Sequence, residues 1–113
     1  DLRDKIRAVF ELAGANRIAF TGEYSGWMPD SNSEILSLMK NTYRKMYGQE
    51  PKVLAIHAGL ECGILSGAYP HWDMISFGPT LMSPHSPDER CYIPSVEKFW
   101  NFLLEVIKNI PEK

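Results

Sequence analysis

The chain has 113 residues, 44% of them hydrophobic and 23% charged, with a formal net charge of −2. That is enough for one modest domain with its own core, and the composition is globular rather than disordered. The near-neutral balance without a basic run excludes the electrostatic footprint of a nucleic-acid binder, and no apolar run approaches the roughly 20 residues needed to span a membrane.

Residues 2–13, LRDKIRAVFELA, predict an amphipathic helix, with Leu2, Ile6, Val9, Phe10 and Ala13 near 3.6-residue spacing and Gly14 as its stop. Residues 17–24, RIAFTGEY, alternate as a strand does, weakened by Gly22. SGWMPDSNS, residues 25–33, is a break, and Ser31 with Glu34 matches a capping box for a helix over about 34–47. Ile35, Leu38, Met39, Thr42 and Met46 form its apolar stripe, Gly48 suits a left-handed C-terminal residue, and Pro51 prevents resumption.

KVLAIHA, residues 52–58, predicts a buried strand, followed by a glycine-rich loop, AGLECGILSGAYP. DMISFG, residues 73–78, predicts a second one. Residues 79–94, PTLMSPHSPDERCYIP, form a long irregular connection of the kind that often carries function. Ser95 then caps a last helix to about Asn109, with Val96, Phe99, Leu103, Val106, Ile107 and Ile110 on one face and Pro111 ending it. The order helix, strand, helix, strand, strand, helix points to α/β layers.

His85 lies between Pro84 and Pro87. The prolines fix their own φ and bias the residues before them toward extended backbone, so the loop is stiff and its imidazole is aimed at low entropic cost. Metal ligation and general-base work both need that; a surface histidine in a proline-rich turn is the competing reading. Asp88 and Glu89 could orient the imidazole or meet a substrate amine, or simply face water beside Arg90. In HAGLECG, residues 57–63, Gly59 and Gly63 let backbone approach a ligand closely, and Glu61 could bind an ammonium group; a tight turn with an outward glutamate is the alternative. No phosphate-binding signature is present. His57 closes the strand as a hydrogen-bonded end residue or a substrate contact, and His71 reads as a surface turn. Phe99, Trp100, Phe102 and Leu103 are a packing face rather than a cofactor box.

Cys62 and Cys91 are too few for a disulfide scaffold and read as thiols in a reducing, cytoplasmic compartment, one disulfide being the open alternative. Neither belongs to a C-x-x-C or C-x-x-H pair, which argues against a zinc site built from them. Cys62 has an acid, not a base, beside it and reads as a small apolar filler rather than a nucleophile.

Taken together, YSGWMPDSNS, IHAGLECG, YPHWDMISFGPT, PHSPDER and the closing SVEKFWNFLLEVIKNIP resemble, in order and across essentially the whole chain, the C-terminal part of the aminoacyl-histidine (Xaa-His) dipeptidases of the M20 zinc metallopeptidase family. The resemblance implies a catalytic α/β domain with two zinc ions, interrupted by a lid domain that dimerises. Residues 1–27 would be the trailing helix and strand of the lid, and residues 28–113 the returning catalytic domain, with GWMPDSNS as the hinge between them. His85 would be a metal ligand, Glu89 an outer partner or substrate-facing acid, and the 57–63 loop, with His57, Gly59 and Glu61, part of the substrate pocket.

The family's other ligands, an H-x-D pair, a bridging aspartate and a Glu-Glu pair holding the general base, have no counterpart here and would lie upstream of Asp1. A dinuclear site needs several imidazole and carboxylate donors around its activated water. The expectation is therefore a part of a dipeptidase that is inactive and binds zinc poorly by itself, and that self-associates as a homo-oligomer through exposed apolar surface. Two other readings stand beside it: a non-enzymatic α/β interaction module, and another M20 amidohydrolase such as a deacylase or tripeptidase.

Overall fold

The core lies where two amphipathic helices meet. In the computed structural model, which describes residues 1–56 and 61–112, α1 spans Leu2–Leu12, α2 Glu34–Tyr47, α3 Glu61–Ala68 and α4 Ile93–Lys108. A two-residue strand, β1 (Leu81–Met82), pairs antiparallel with β2 (Arg90–Cys91), placing Leu81 opposite Cys91 and Met82 opposite Arg90.

The bounds of α2 are those its sequence predicts, but its cap is different. Ser33, not Ser31, is the N-cap, and its Oγ accepts the Leu36 N–H at 3.0 Å. Ser31 is taken up in a turn built on Asp30, whose Oδ1 accepts the Asn32 N–H at 2.8 Å and whose carbonyl accepts that of Ser33. At the other end Gly48 adopts φ 67° and donates its N–H to the Arg44 carbonyl, the left-handed termination expected of glycine.

A second cap of α2 comes from far along the chain. Asp73 Oδ2 accepts the Ile35 N–H at 2.9 Å, so two free donors of the first turn are satisfied by residues 40 positions apart in sequence, Ser33 and Asp73. Desolvation pushes the Asp73 carboxyl upward, but hydrogen bonds from the Ile35 N–H, the Ser33 side chain and the Glu34 N–H outweigh it and hold the group below its ordinary value. A carboxylate whose pKa is depressed in the folded state adds stability above its unfolded pKa, and that stability is lost as pH falls through the folded value. Asp73→Ala is expected to cost about 1 kcal/mol at neutral pH, as loss of a helix cap does, and to flatten the acid limb of stability. Urea midpoints at pH 7 and pH 3 test this; equal acid sensitivity in both proteins would refute it.

On α4, Pro94 occupies the first turn, where no N–H is needed. The helix therefore begins before Ser95, which caps nothing. Its Oγ instead donates to the Tyr92 carbonyl at 2.6 Å and accepts the Thr80 N–H at 2.8 Å, tying the start of the hairpin to the helix. Met39, Phe102 and Val106 are the buried apolar side chains among the described residues, flanked by Ile35, Leu38, Met46 and Ile75. The buried row of α4 is thus Phe102 and Val106, one turn apart, while Ile107 and Ile110 of the predicted stripe stay half-exposed. Tyr43 and Phe77 meet the Phe102 ring edge-on at 5.4 and 5.8 Å. Lys98 fastens the rim: its Nζ donates to Tyr43 Oη at 2.7 Å and lies over the Tyr47 ring.

Three predicted strands are not strands. Residues 17–24, the described part of 52–58, and 73–78 run without secondary structure, because none finds a hydrogen-bonded neighbour among the described residues. A single extended stretch has no ladder to complete. Val53, Leu54 and Ile56 consequently lie on the surface, Leu54 at 78% exposure, although their sequence is that of a strand buried on both faces. Residues 17–24 pack on α1 through polar groups instead: Arg3 and Arg7 lie over the Phe20 ring, and Arg3 pairs with Glu23 at 2.8 Å. The apolar face predicted for α1 forms on schedule, yet Leu2, Val9 and Phe10 remain exposed.

The predicted glycine-rich loop yields α3 instead. A Cβ on Gly63 would come within 2.7 Å of the Ser25 carbonyl oxygen, and one on Gly67 within 3.0 Å of Ser25 Oγ, so the helix and residues 25–27 meet at backbone distance.

The radius of gyration is 19.3 Å, against about 13 Å for a compact chain of about this length. Solvent-accessible surface is 9703 Å². A folded monomer of 12.9 kDa exposes about 6,300 Å², which leaves roughly 3,400 Å² in excess. No helix among the described residues is long and apolar enough to cross a membrane.

Candidate functional site

His85 sits in the loop that joins β1 to β2, residues 83–89, and the whole loop is exposed. Ser86 organises it: its Oγ donates to the Ser83 carbonyl at 2.9 Å and accepts the Asp88 N–H at 3.2 Å, while its carbonyl accepts the Glu89 N–H at 3.0 Å. Across the loop, Glu89 Oε2 accepts the N–H of His85 itself at 2.7 Å. Two residues take left-handed backbone, Ser83 with φ 50° and His85 with φ 61°. Histidine is among the residues enriched in that region. Ser83, which precedes Pro84, is not extended as the proline bias predicts; the bond from Ser86 Oγ to its carbonyl closes the loop in the tighter form.

The loop is thus closed by hydrogen bonds of its own as well as by its two prolines. It presents one exposed imidazole. That group can ligate a metal or carry a proton. Among the described residues no group of three His, Cys, Asp or Glu side chains could hold a metal ion.

The remaining candidates are spread out. Glu61 is the first residue of α3 and is exposed, so the glutamate predicted for a loop stands at a helix N-terminus. His57 and Gly59 lie outside the described residues. Asp88 is exposed within the loop turn and Arg90 belongs to β2. His71 is exposed in the turn where Tyr69 and Trp72 stack with ring centroids 4.2 Å apart. Cys62 and Cys91 are free thiols, the first half-buried as a filler would be, the second exposed.

An open groove of about 400 Å³ runs between α2, α4 and residues 72–77, walled by Ile35, Met39, Trp72, Ile75, Leu103 and Ile107. None of His85, Glu61 or Glu89 lines it. Its walls are apolar apart from Asp73 and Cys62, so it offers packing surface rather than chemistry. Asp73 is the residue that sequence reasoning missed, and no local signal marks it, since its partner Ile35 is 38 residues away.

No family model matches the chain. The chain is 48% identical, over 103 residues, to the cytosol non-specific dipeptidase of Escherichia coli (strain K12), a match covering 91% of this chain and 21% of that protein. The crystal structure of aminoacylhistidine dipeptidase from Vibrio alginolyticus superposes with a TM-score of 0.77 at 47% identity, over 98% of this chain and 22% of that one. The resemblance to dipeptidases visible in the sequence is therefore shown, and with it the coarse fold class: helices and a small sheet that form part of an α/β domain. The chain spans about a fifth of the length of the relatives it matches.

Proposed function

We propose that this chain works as part of a cytoplasmic dipeptidase, with His85 contributing one ligand to a zinc site whose other donors lie outside these 113 residues. The observation that carries the reading is the match, at nearly half identity and over nearly the whole chain, to two proteins named as dipeptidases. The excess surface of roughly 3,400 Å² supports it, being more than the roughly 1,000–2,500 Å² that each partner of an obligate interface buries. So does the exposed segment at 52–56, whose sequence suits a strand inside a larger sheet.

In this reading residues 1–27 belong to a lid and residues 28–113 to the catalytic domain, and Glu61, with His57 and Gly59, helps shape the substrate pocket. A bound zinc would supply Lewis acidity and an activated water. What this chain supplies is an imidazole held on a stiff, solvent-facing loop. The names of the two relatives differ on breadth, one non-specific and one directed to aminoacyl-histidine, and the substrates proposed are unblocked dipeptides with histidine favoured at the C-terminal position.

A panel of free dipeptides, N-blocked dipeptides and N-acyl amino acids, offered to the longer protein that carries this segment and to the 113-residue chain alone, tests the proposal. The longer protein is expected to cleave the free dipeptides, Xaa-His among them, and the chain alone to cleave none. Preference for N-acyl amino acids, or turnover by the chain alone, would overturn it.

A further inference from the structure

We propose that Glu89 is a positioning residue: its carboxylate pins the His85 main chain and so fixes where the imidazole points. The functional half of this inference rests on the reading of His85 as a metal ligand; the geometric half stands on the loop itself. His85 has φ 61°, a conformation rarely taken by residues with a Cβ, and the direction of its Cα–Cβ bond follows from that angle. Relaxing to an ordinary φ would swing the imidazole to another side of the loop. An acceptor at 2.7 Å from the His85 N–H, well inside hydrogen-bonding distance, opposes that relaxation.

Glu89 is well placed to act as the anchor. Its own N–H is fixed to the Ser86 carbonyl at 3.0 Å, and the next residue, Arg90, is paired in β2 with Met82. The carboxylate is thereby engaged with the chain's own backbone. The resemblance had left open whether this acid faces the substrate; the geometry points to the loop instead. It needs an acceptor of this length at position 89, and it does not need the charge.

That distinction sets the experiment. Glutamine keeps a carbonyl oxygen at the same reach, and alanine keeps nothing. In the 113-residue chain, the His85 amide proton should resonate downfield in the unsubstituted protein and in Glu89→Gln, and move upfield in Glu89→Ala. In the longer protein, Glu89→Ala should weaken zinc binding, read by competition with a chromogenic chelator, by roughly 10- to 100-fold, the usual cost of losing a partner that orients a ligand. It should lower kcat with KM unchanged, and Glu89→Gln should restore both metal binding and kcat.

Failure of Glu89→Gln to restore them, with a raised KM, would place the charge on the substrate and overturn the inference. An unmoved His85 amide in Glu89→Ala would overturn it as well. If Glu89→Ala does not fold, the amide shift and metal affinity of Glu89→Gln still decide. Retention of zinc by a His85→Gly variant would sink the ligand reading alone, because the amide shift judges the clamp independently of any metal.

Discussion

Phe102→Ala is expected to abolish the cooperative unfolding of the α2–α4 pair. Phe102 is 8% exposed and is the largest of the three buried apolar side chains among the described residues. Removing a buried phenylalanine costs about 3–5 kcal/mol, through lost transfer energy and the cavity left behind. Here the ring also supports two others, since Tyr43 and Phe77 both rest their edges on it. Total stabilities of about 5–15 kcal/mol are usual for whole domains, and a core this small belongs at or below the lower end. Urea unfolding followed by far-UV and near-UV circular dichroism is the measurement. Loss of near-UV signal with a broad, non-cooperative far-UV transition is expected. Trp100, half-exposed on the same helix, serves as the comparison and should cost far less when truncated. A Phe102→Ala midpoint close to that of the Trp100 variant would refute this picture of the core.

The second large effect belongs to His85. In the longer protein, His85→Gly is expected to lower zinc content and dipeptide hydrolysis by more than the roughly 10- to 100-fold that loss of an orienting partner costs, because a ligand itself is removed. Glycine is the informative replacement because His85 has φ 61°. A residue with a Cβ held there stores about 1–3 kcal/mol of strain, which glycine releases at the cost of extra unfolded-state entropy. Folding should therefore be unharmed while metal binding fails, a combination that general destabilisation cannot imitate. Elemental analysis after gel filtration, alongside thermal unfolding of the same samples, reads both. Full zinc occupancy in a normally folded His85→Gly protein would sink the ligand assignment.

The helices were legible because their signals are local. Periodicity placed α1, α2 and α4 to within three residues, and Gly48 behaved as its position in the sequence demands. The misreadings share a different cause, which is that the deciding partner is distant or outside the chain. KVLAI has a strand's composition, but a strand exists only beside a neighbour, and none is described here. ECGILSGA has poor helix formers at Gly63, Ser66 and Gly67, yet forms α3, where those small residues let it lie against Ser25. The spacing of Ser31 to Glu34 favoured Ser31 as the cap, but the turn made by Asp30 takes up Ser31 and leaves the cap to Ser33. At the site, a link between Glu89 and His85 was legible in the sequence, but the left-handed backbone of His85 was not, nor that Glu89 meets its main-chain N–H rather than its imidazole.

The contact between α3 and Ser25 has a mechanical consequence. Residues 25–27 lie between α1 with its polar companion segment and the rest of the molecule, and the longest dimension of the chain is 59 Å. The spacing there is set by two hydrogen atoms, those standing where Gly63 and Gly67 lack a Cβ. A single methyl group at position 63 would have to displace the Ser25 carbonyl. The distance at which the chain passes α3, on its way from the N-terminal helix to α2, is thereby set by the smallest side chains of the sequence.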